Sequence, residues 1–296
     1  MKLEDKLEGW TGPSSDTEAE KQDRTIRMIR EAVDQHGAFK NQGMTVELKG
    51  SYPNNTNVRI DSDVDVYVQC AKALYSDEHT KGAGPSSTKP YEGIWTPAKL
   101  RSELAAALTA KFGNDVDVSG SLAIRVNSST ARVDADVLPS FSYKYYFSAT
   151  SFREGTKSFR KNGTGVVNYP VQQLELGKKK NVETKTFFKQ GVRILKRLEN
   201  EMCDKKVFKE LPSYFIECLG YNCSNEIFMK STWTETVKAM LLHIWTELQG
   251  EEPEDANDRW REVNECKWLF SSAQKWTRDD GRQFAKAAWN YLEFNK

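Results

Sequence analysis

Acidic residues alternate twice along this 296-residue chain. In "GSYPNNTNVRIDSDVDVYVQC" (50–70), Asp61, Asp63 and Asp65 are spaced by two, and in "ARVDADVLPSF" (131–141) so are Asp134 and Asp136. On a strand, a period of two sends such side chains to one face. Like charges gathered there raise one another's pKa and destabilise the fold unless something positive compensates. Divalent cations would do so, since a pair of them needs several hard oxygen ligands on rigid elements. Gly50 and Ser51 stand just upstream. Glycine lets backbone N–H groups close on an anion and serine adds a hydroxyl donor, a combination suited to a triphosphate. Acids and turn together describe a site where a hydroxyl attacks the α-phosphorus of a nucleotide and pyrophosphate leaves.

A DxD pair alone is a weak signal, because carboxylates at strand ends are commonly just solvated. "NDVDVSGS" (114–121) repeats the pattern with no Gly-Ser ahead of it. A second frame, Gly120-Ser121 followed by Asp134 and Asp136, lacks a later strand to supply a third acid and leaves the first cluster unexplained. The first frame has its turn and its third carboxylate, with Asp134 and Asp136 both available for that place.

Hydrophobic spacing shows which elements must hold these residues. Residues 14–36 read as a helix, with Ser14, Ser15 and Asp16 as cap candidates and Ile26, Ile29 and Val33 on its apolar face. "MTVELKGS" alternates like a strand, as does "DVDVYVQC" (63–70), where Val64, Val66 and Val68 oppose the acids. Residues 76–93 are polar and rich in Gly and Pro, which predicts a mobile surface loop. "TPAKLRSELAAALTAKFG" is a helix capped by Thr96 with Pro97 at its first position. Strands are expected at 121–127 and 131–138. Beyond Thr184 the spacing is helical at 184–203, 212–222, 231–249, about 258–275 and 279–294, while 162–181 read as an irregular bridge. The chain is therefore expected to be α+β, with strands and helices in its N-terminal half and helices in its C-terminal half, and domains at 1–160 and 161–296.

Bulk properties narrow the class. A net charge of +1 gives no basic surface for nucleic acid, and no apolar run reaches the roughly 20 residues of a membrane span. The opening "MKLEDKLEGWTGPSSD" has no apolar stretch, so a secretory signal is not expected. Five cysteines at irregular spacing (Cys70, Cys203, Cys218, Cys223, Cys266) point to reduced thiols in a cytoplasmic protein.

"GSYPNNTNVRIDSDVDV" followed by "VDADVLPSF" resembles the nucleotidyltransferases of the DNA polymerase β superfamily. With "TKTFFKQGVRILKRLENEM" and "LPSYFIECLGYN", the likeness narrows to the bacterial relatives of cyclic GMP-AMP synthase, the CD-NTases that make cyclic oligonucleotide signals in anti-phage (CBASS) defence. The resemblance covers most of residues 20–225. It implies a polymerase-β-like lobe with a mixed β-sheet, a C-terminal helical lobe and an active site in the cleft between them. Gly50 and Ser51 match the phosphate-binding turn, Asp63 and Asp65 the paired ligands of two Mg²⁺ ions, and Asp136 the third. Lys196 and Ser213 match triphosphate contacts, Tyr214 a base-stacking aromatic, and Asn168 is placed to read a base edge. Asn55 stands where the family often has glycine, which asparagine's tolerance of left-handed backbone permits.

The resemblance further implies a monomer using ATP, GTP, UTP or CTP, with no membrane partner and a downstream effector for its product. No His/Cys cluster resembles the zinc insertion of the animal synthase, so DNA activation is not expected. Nor is conjugation through the C-terminus, because the chain closes on lysine. Alternatives are a transferase acting on a linear oligonucleotide, tRNA or protein acceptor, and a nucleotide sensor without turnover.

Overall fold

The computed structural model describes residues 2–13, 15–58, 63–86 and 91–295, so Asp61 and the cap candidate Ser14 lie outside the described residues. Two compact units emerge. Described residues of 15–53 and 60–170 form one, and those of 1–14, 54–59 and 171–296 the other.

The first unit is a mixed sheet covered on one face. Its strands are β1 (Met44–Lys49), β2 (Val64–Glu78), β3 (Val116–Asp117), β4 (Ile124–Val126), β5 (Ala135–Tyr146), β6 (Phe152–Phe159) and β7 (Gly165–Asn168), and its helices are α2 (Asp16–Gln35) and α3 (Pro97–Phe112). β2 and β5 run parallel at the centre and the other pairings are antiparallel, in the order β1-β2-β5-β4-β3. β5 is long enough to change neighbours along one edge. Residues 135–137 pair with β4, and residues 140–146 with β6. Alternation does what the sequence predicts. Val64, Val66, Val68, Val137, Ile124 and Val126 are wholly buried, in one core with Ile26, Ile29 and Val33 of α2 and Leu100, Leu104 and Leu108 of α3. Each such valine contributes roughly 1.5–3 kcal/mol. Ser15 caps α2 and Thr96 caps α3 through their side chains.

The second unit is helical: α1 (Leu3–Gly9), α4 (Pro170–Glu183), α5 (Phe187–Asp204), α6 (Ser213–Tyr221), α7 (Trp233–Glu247) and α8 (Arg278–Tyr291). Val192, Leu195, Leu198 and Met202 of α5 sit at its centre, with Phe215 and Leu219 of α6 and Phe284 of α8. Residues far apart in sequence join it. Leu7 of α1 is wholly buried in this core, and the Glu4 carboxylate accepts the backbone N–H groups of Trp233 (2.7 Å) and Thr234 (2.8 Å) at the start of α7. Asn55 has φ +53°, the left-handed backbone anticipated for it, and its carbonyl accepts Arg193 Nη1 at 2.6 Å.

Besides α1 and β6, which the sequence reading did not anticipate, and β5, which runs through Pro139 to Tyr146 instead of ending at 138, the structure differs from that reading in four places. The division between the units falls at 170/171, not 160/161, because β7 extends the sheet beyond β6, and the first residues cluster with the helices. Residues 162–181 are mostly regular: they contain β7 and most of α4, whose first position is Pro170. Ser76, Asp77 and Glu78 continue β2 against Lys144, Tyr145 and Tyr146. Residues 258–275 hold no helix. There Asn264 Oδ1 accepts the N–H of Cys266 (2.8 Å), Glu265 takes φ +52°, and Leu269 N–H bonds back to Trp260. Such local side-chain bonds compete with helix formation.

Candidate active site

β1 ends at Lys49, and Gly50 turns the chain with φ +78°. A Cβ on Gly50 would lie 2.6 Å from Oδ2 of Asp65, so the backbone favours glycine and any larger residue would displace the neighbouring carboxylate. Ser51 follows, half-buried. Tyr52 then donates its hydroxyl to Asp23 on α2, anchoring the turn to the helix.

The acids occupy the sheet face opposite the valines. Lys49, Asp65, Asp136, Arg125 and Asp117 are successive register partners across β1, β2, β5, β4 and β3, so one row crosses five strands. Asp63 and Asp134 lie two residues before Asp65 and Asp136 respectively. Lys49 Nζ is 3.3 Å from Asp65 Oδ1. Arg125 brings Nη1 to 3.4 Å from Asp63 Oδ2, Nη2 to 3.5 Å from Asp63 Oδ1, and Nη2 to 2.7 Å from Asp134 Oδ2.

Crowding shows in the acidities. Burial pushes Asp63 above the ordinary carboxylate range, with Arg125 opposing and Asp136, Asp134 and Asp65 adding to it. Burial also raises Asp136, Asp65 and Asp134 raise it further, and Arg125 and Lys49 pull it partly back. Asp134 goes the other way: burial works to raise it, but hydrogen bonds from Arg125 and the Ser128 N–H hold it below the usual range. Asp134 thus has its partners, while Asp136 stands directly opposite Asp65.

Among the described residues, no three His, Cys, Asp or Glu side chains form a group that could hold a metal ion as they stand. Arg125 and Lys49 engage Asp63 and Asp65 instead. The donor chemistry nonetheless fits a divalent cation. Asp63, Asp65 and Asp136 are hard oxygen ligands on one sheet face, and two of them are held protonated more readily than usual by burial and their neighbours' charge.

The other sequence-predicted residues belong to β7 and to the helical unit. Asn168 ends β7 in register with Thr156. Lys196 is buried in the helical unit, with Nζ 2.8 Å from Glu217 Oε2 and 3.1 Å from Thr56 Oγ1. Glu217 also accepts Thr56 (2.5 Å) and Gln173 (3.3 Å). Ser213 is exposed at the first position of α6, with Pro212 as the residue that precedes the helix. The Tyr214 hydroxyl donates to Glu262 (3.2 Å) and accepts from Asn264 (3.1 Å). The structure thus brings together Gly50, Ser51, Asp63, Asp65 and Asp136. It gives Lys196 and Tyr214 buried polar partners of their own. Sequence reasoning missed Lys49, Arg125 and the Tyr52–Asp23 bond. The alternation in "AIRV" was a usable signal, since it turns Arg125 to the face of the acids.

Residues 175–293 match the family described as the cGAS/DncV-like nucleotidyltransferase C-terminal helical domain. Over 292 residues the chain is 33% identical to a cyclic dipyrimidine nucleotide synthase, CdnE, of Legionella pneumophila, covering 97% of this chain and 96% of that protein. The chain belongs to the CD-NTase family. Two solved structures share its fold. One is Elizabethkingia meningoseptica CdnE cyclic dinucleotide synthase with GTP and Apcpp, at TM-score 0.80 and 30% identity, covering 99% and 100% of the two chains. The other is Rhodothermus marinus CdnE c-UMP-AMP synthase with Apcpp and Upnpp, at 0.83 and 26%, covering 100% and 98%. This CD-NTase is accordingly a nucleotidyltransferase with a mixed sheet and a C-terminal helical domain. Among the described residues, none of its helices is long and apolar enough to cross a membrane.

Proposed function

We propose that this CD-NTase joins ribonucleoside triphosphates into a cyclic di- or trinucleotide that serves as a second messenger in CBASS anti-phage defence. The observation that carries this reading is the registered pair Asp65–Asp136 packed beside the Gly50 turn, in a chain similar to a cyclic nucleotide synthase over nearly its whole length. Asp63, Asp65 and Asp136 would hold two Mg²⁺, for which the two carboxylates at Lys49 and Arg125 exchange partners. Bound there, the ions supply a lowered hydroxyl pKa and charge neutralisation on the triphosphate. Gly50 and Ser51 orient that triphosphate through backbone N–H and hydroxyl groups. Asp136 accepts the proton of the ribose hydroxyl as its oxygen bonds to the α-phosphorus and the bond to pyrophosphate breaks. Repeating the transfer, with loss of a pyrophosphate each time, closes the ring.

Lys196, Ser213 and Tyr214 are the nucleotide contacts proposed for the helical unit, and Asn168 the base reader of the sheet unit. For Lys196 this role means exchanging Glu217 for a phosphate. The relatives differ in the nucleotides of their names and complexes, GTP with Apcpp in one and Apcpp with Upnpp in another. The enzyme is read as a cytoplasmic monomer that needs no DNA and whose product is sensed by a separate effector.

The test is incubation with the four labelled triphosphates and Mg²⁺, then phosphatase treatment and mass spectrometry, beside Asp63→Asn. A phosphatase-resistant product without free ends, absent from the variant, is expected. A linear product would make the protein another kind of transferase. Nucleotide binding without pyrophosphate release would make it a sensor.

A further inference from the structure

Two carboxylates directly opposed across neighbouring strands are destabilising, yet Asp65 and Asp136 hold that position in the central parallel pair. The row they belong to shows how the fold tolerates them. Lys49 flanks Asp65 on one side and Arg125 flanks Asp136 on the other, so the face reads Lys, Asp, Asp, Arg across β1, β2, β5 and β4. The contacts are graded. Arg125 is tight on Asp134 (2.7 Å) and looser on Asp63 (3.4 and 3.5 Å), and Lys49 is also looser on Asp65 (3.3 Å). Asp134 has a second donor in the Ser128 N–H and keeps the guanidinium anchored whatever Asp63 does.

We infer that Lys49 and Arg125 are positioning residues that act as resident counter-ions. They hold Asp65 and Asp63 in place in the metal-free protein, and they compete with divalent cations for those two carboxylates. This rests on the metal site proposed above. Asp134, the acid left over from the metal set, then retains Arg125 beside the site once Asp63 has been given up. Four acids against two cations leave the cluster negative, so a divalent ion still enters, but against opposition. A unit positive charge roughly 5 Å from a divalent ion in a water-like dielectric weakens its binding by about tenfold.

The experiment measures Mn²⁺ affinity by calorimetry or electron paramagnetic resonance without nucleotide, together with thermal melting in chelator and in saturating Mn²⁺. It uses the full chain and the variants Arg125→Gln, Arg125→Lys, Lys49→Gln and Asp136→Asn. Arg125→Gln should bind Mn²⁺ about tenfold tighter. It should melt a few degrees lower in chelator but match the parent in Mn²⁺. Arg125→Lys should restore both, and Lys49→Gln should show the same pattern more weakly. Because Lys49 lies on an edge strand, Lys49→Gln carries the test if Arg125→Gln does not fold without metal. Unchanged or weaker Mn²⁺ binding in both charge-removed variants, with equal loss of melting temperature with and without metal, would reduce these cations to sheet packing. Parent-like Mn²⁺ affinity in Asp136→Asn would instead overturn the metal site itself.

Discussion

Replacing Gly50 by alanine separates the backbone's need for glycine from the site's. The backbone penalty comes from φ +78°, where an L-residue is disfavoured by about 1–2 kcal/mol. The new Cβ also starts 2.6 Å from Asp65 Oδ2, and ordinary contact begins at 3.4 Å, so the carboxylate must retreat by about 0.8 Å. For stability that retreat is cheap, since it moves only the far end of a flexible side chain. For catalysis it is not, because a misplacement near 1 Å at a reacting centre costs on the order of a hundredfold. Gly82→Ala is the control. Its φ is +84° but nothing lies within 4 Å of its Cβ, so it carries the backbone penalty without the displacement. Both variants should melt roughly 3–6 °C lower, but only Gly50→Ala should lose about a hundredfold in pyrophosphate release from triphosphates. Parent-like turnover in Gly50→Ala, with Asp63→Asn inactive, would refute the idea that the turn fixes Asp65 in its working position.

The raised pKa values of Asp63 and Asp136 give a pH signature in chelator. An acid whose folded pKa lies above its unfolded value binds more protons folded than unfolded, so its contribution to stability falls as pH rises from the ordinary carboxylate value through the raised one. Denaturation across about pH 4 to 7 should show Asp63→Asn and Asp136→Asn gaining stability on the parent as pH rises; a constant difference would contradict the upward shifts that burial and neighbouring charge impose. Lys196→Met leaves Glu217 buried without its cation and should lose about 3–5 kcal/mol in urea denaturation. Adding Glu217→Gln should recover most of that loss, and a single variant as stable as the parent would mean the pair is not structural.

What could be read in the sequence was what depends on near neighbours. Period-two alternation put Val64, Val66 and Val68 in the core and their acidic neighbours on the other face, and Ser15 and Thr96 capped their helices as their types foretell. What could not be read depends on register or on distant partners. That Arg125 faces Asp136 and Lys49 faces Asp65 follows only once β4, β5, β2 and β1 are aligned. Lys196 looks like an ordinary helix lysine until Glu217 and Thr56 are brought to it. Likewise Lys180, within the stretch expected to be an irregular bridge, is a half-buried helix residue that donates to the Cys223 carbonyl (2.8 Å) above the rings of Phe188, Tyr221 and Phe228. The helix expected at 258–275 failed because Asn264 and its neighbours bond locally.

The chain enters the helical unit, leaves it, returns for a few residues around Asn55 and leaves again before committing to it at residue 171. A ribosome therefore delivers every strand of the sheet before it delivers α5, the helix whose Arg193 binds the carbonyls of Thr11 and Asn55. Those two early segments must wait, tethered to a sheet free to fold first. Neither unit is a contiguous stretch of gene, so neither can be exchanged by a single crossover.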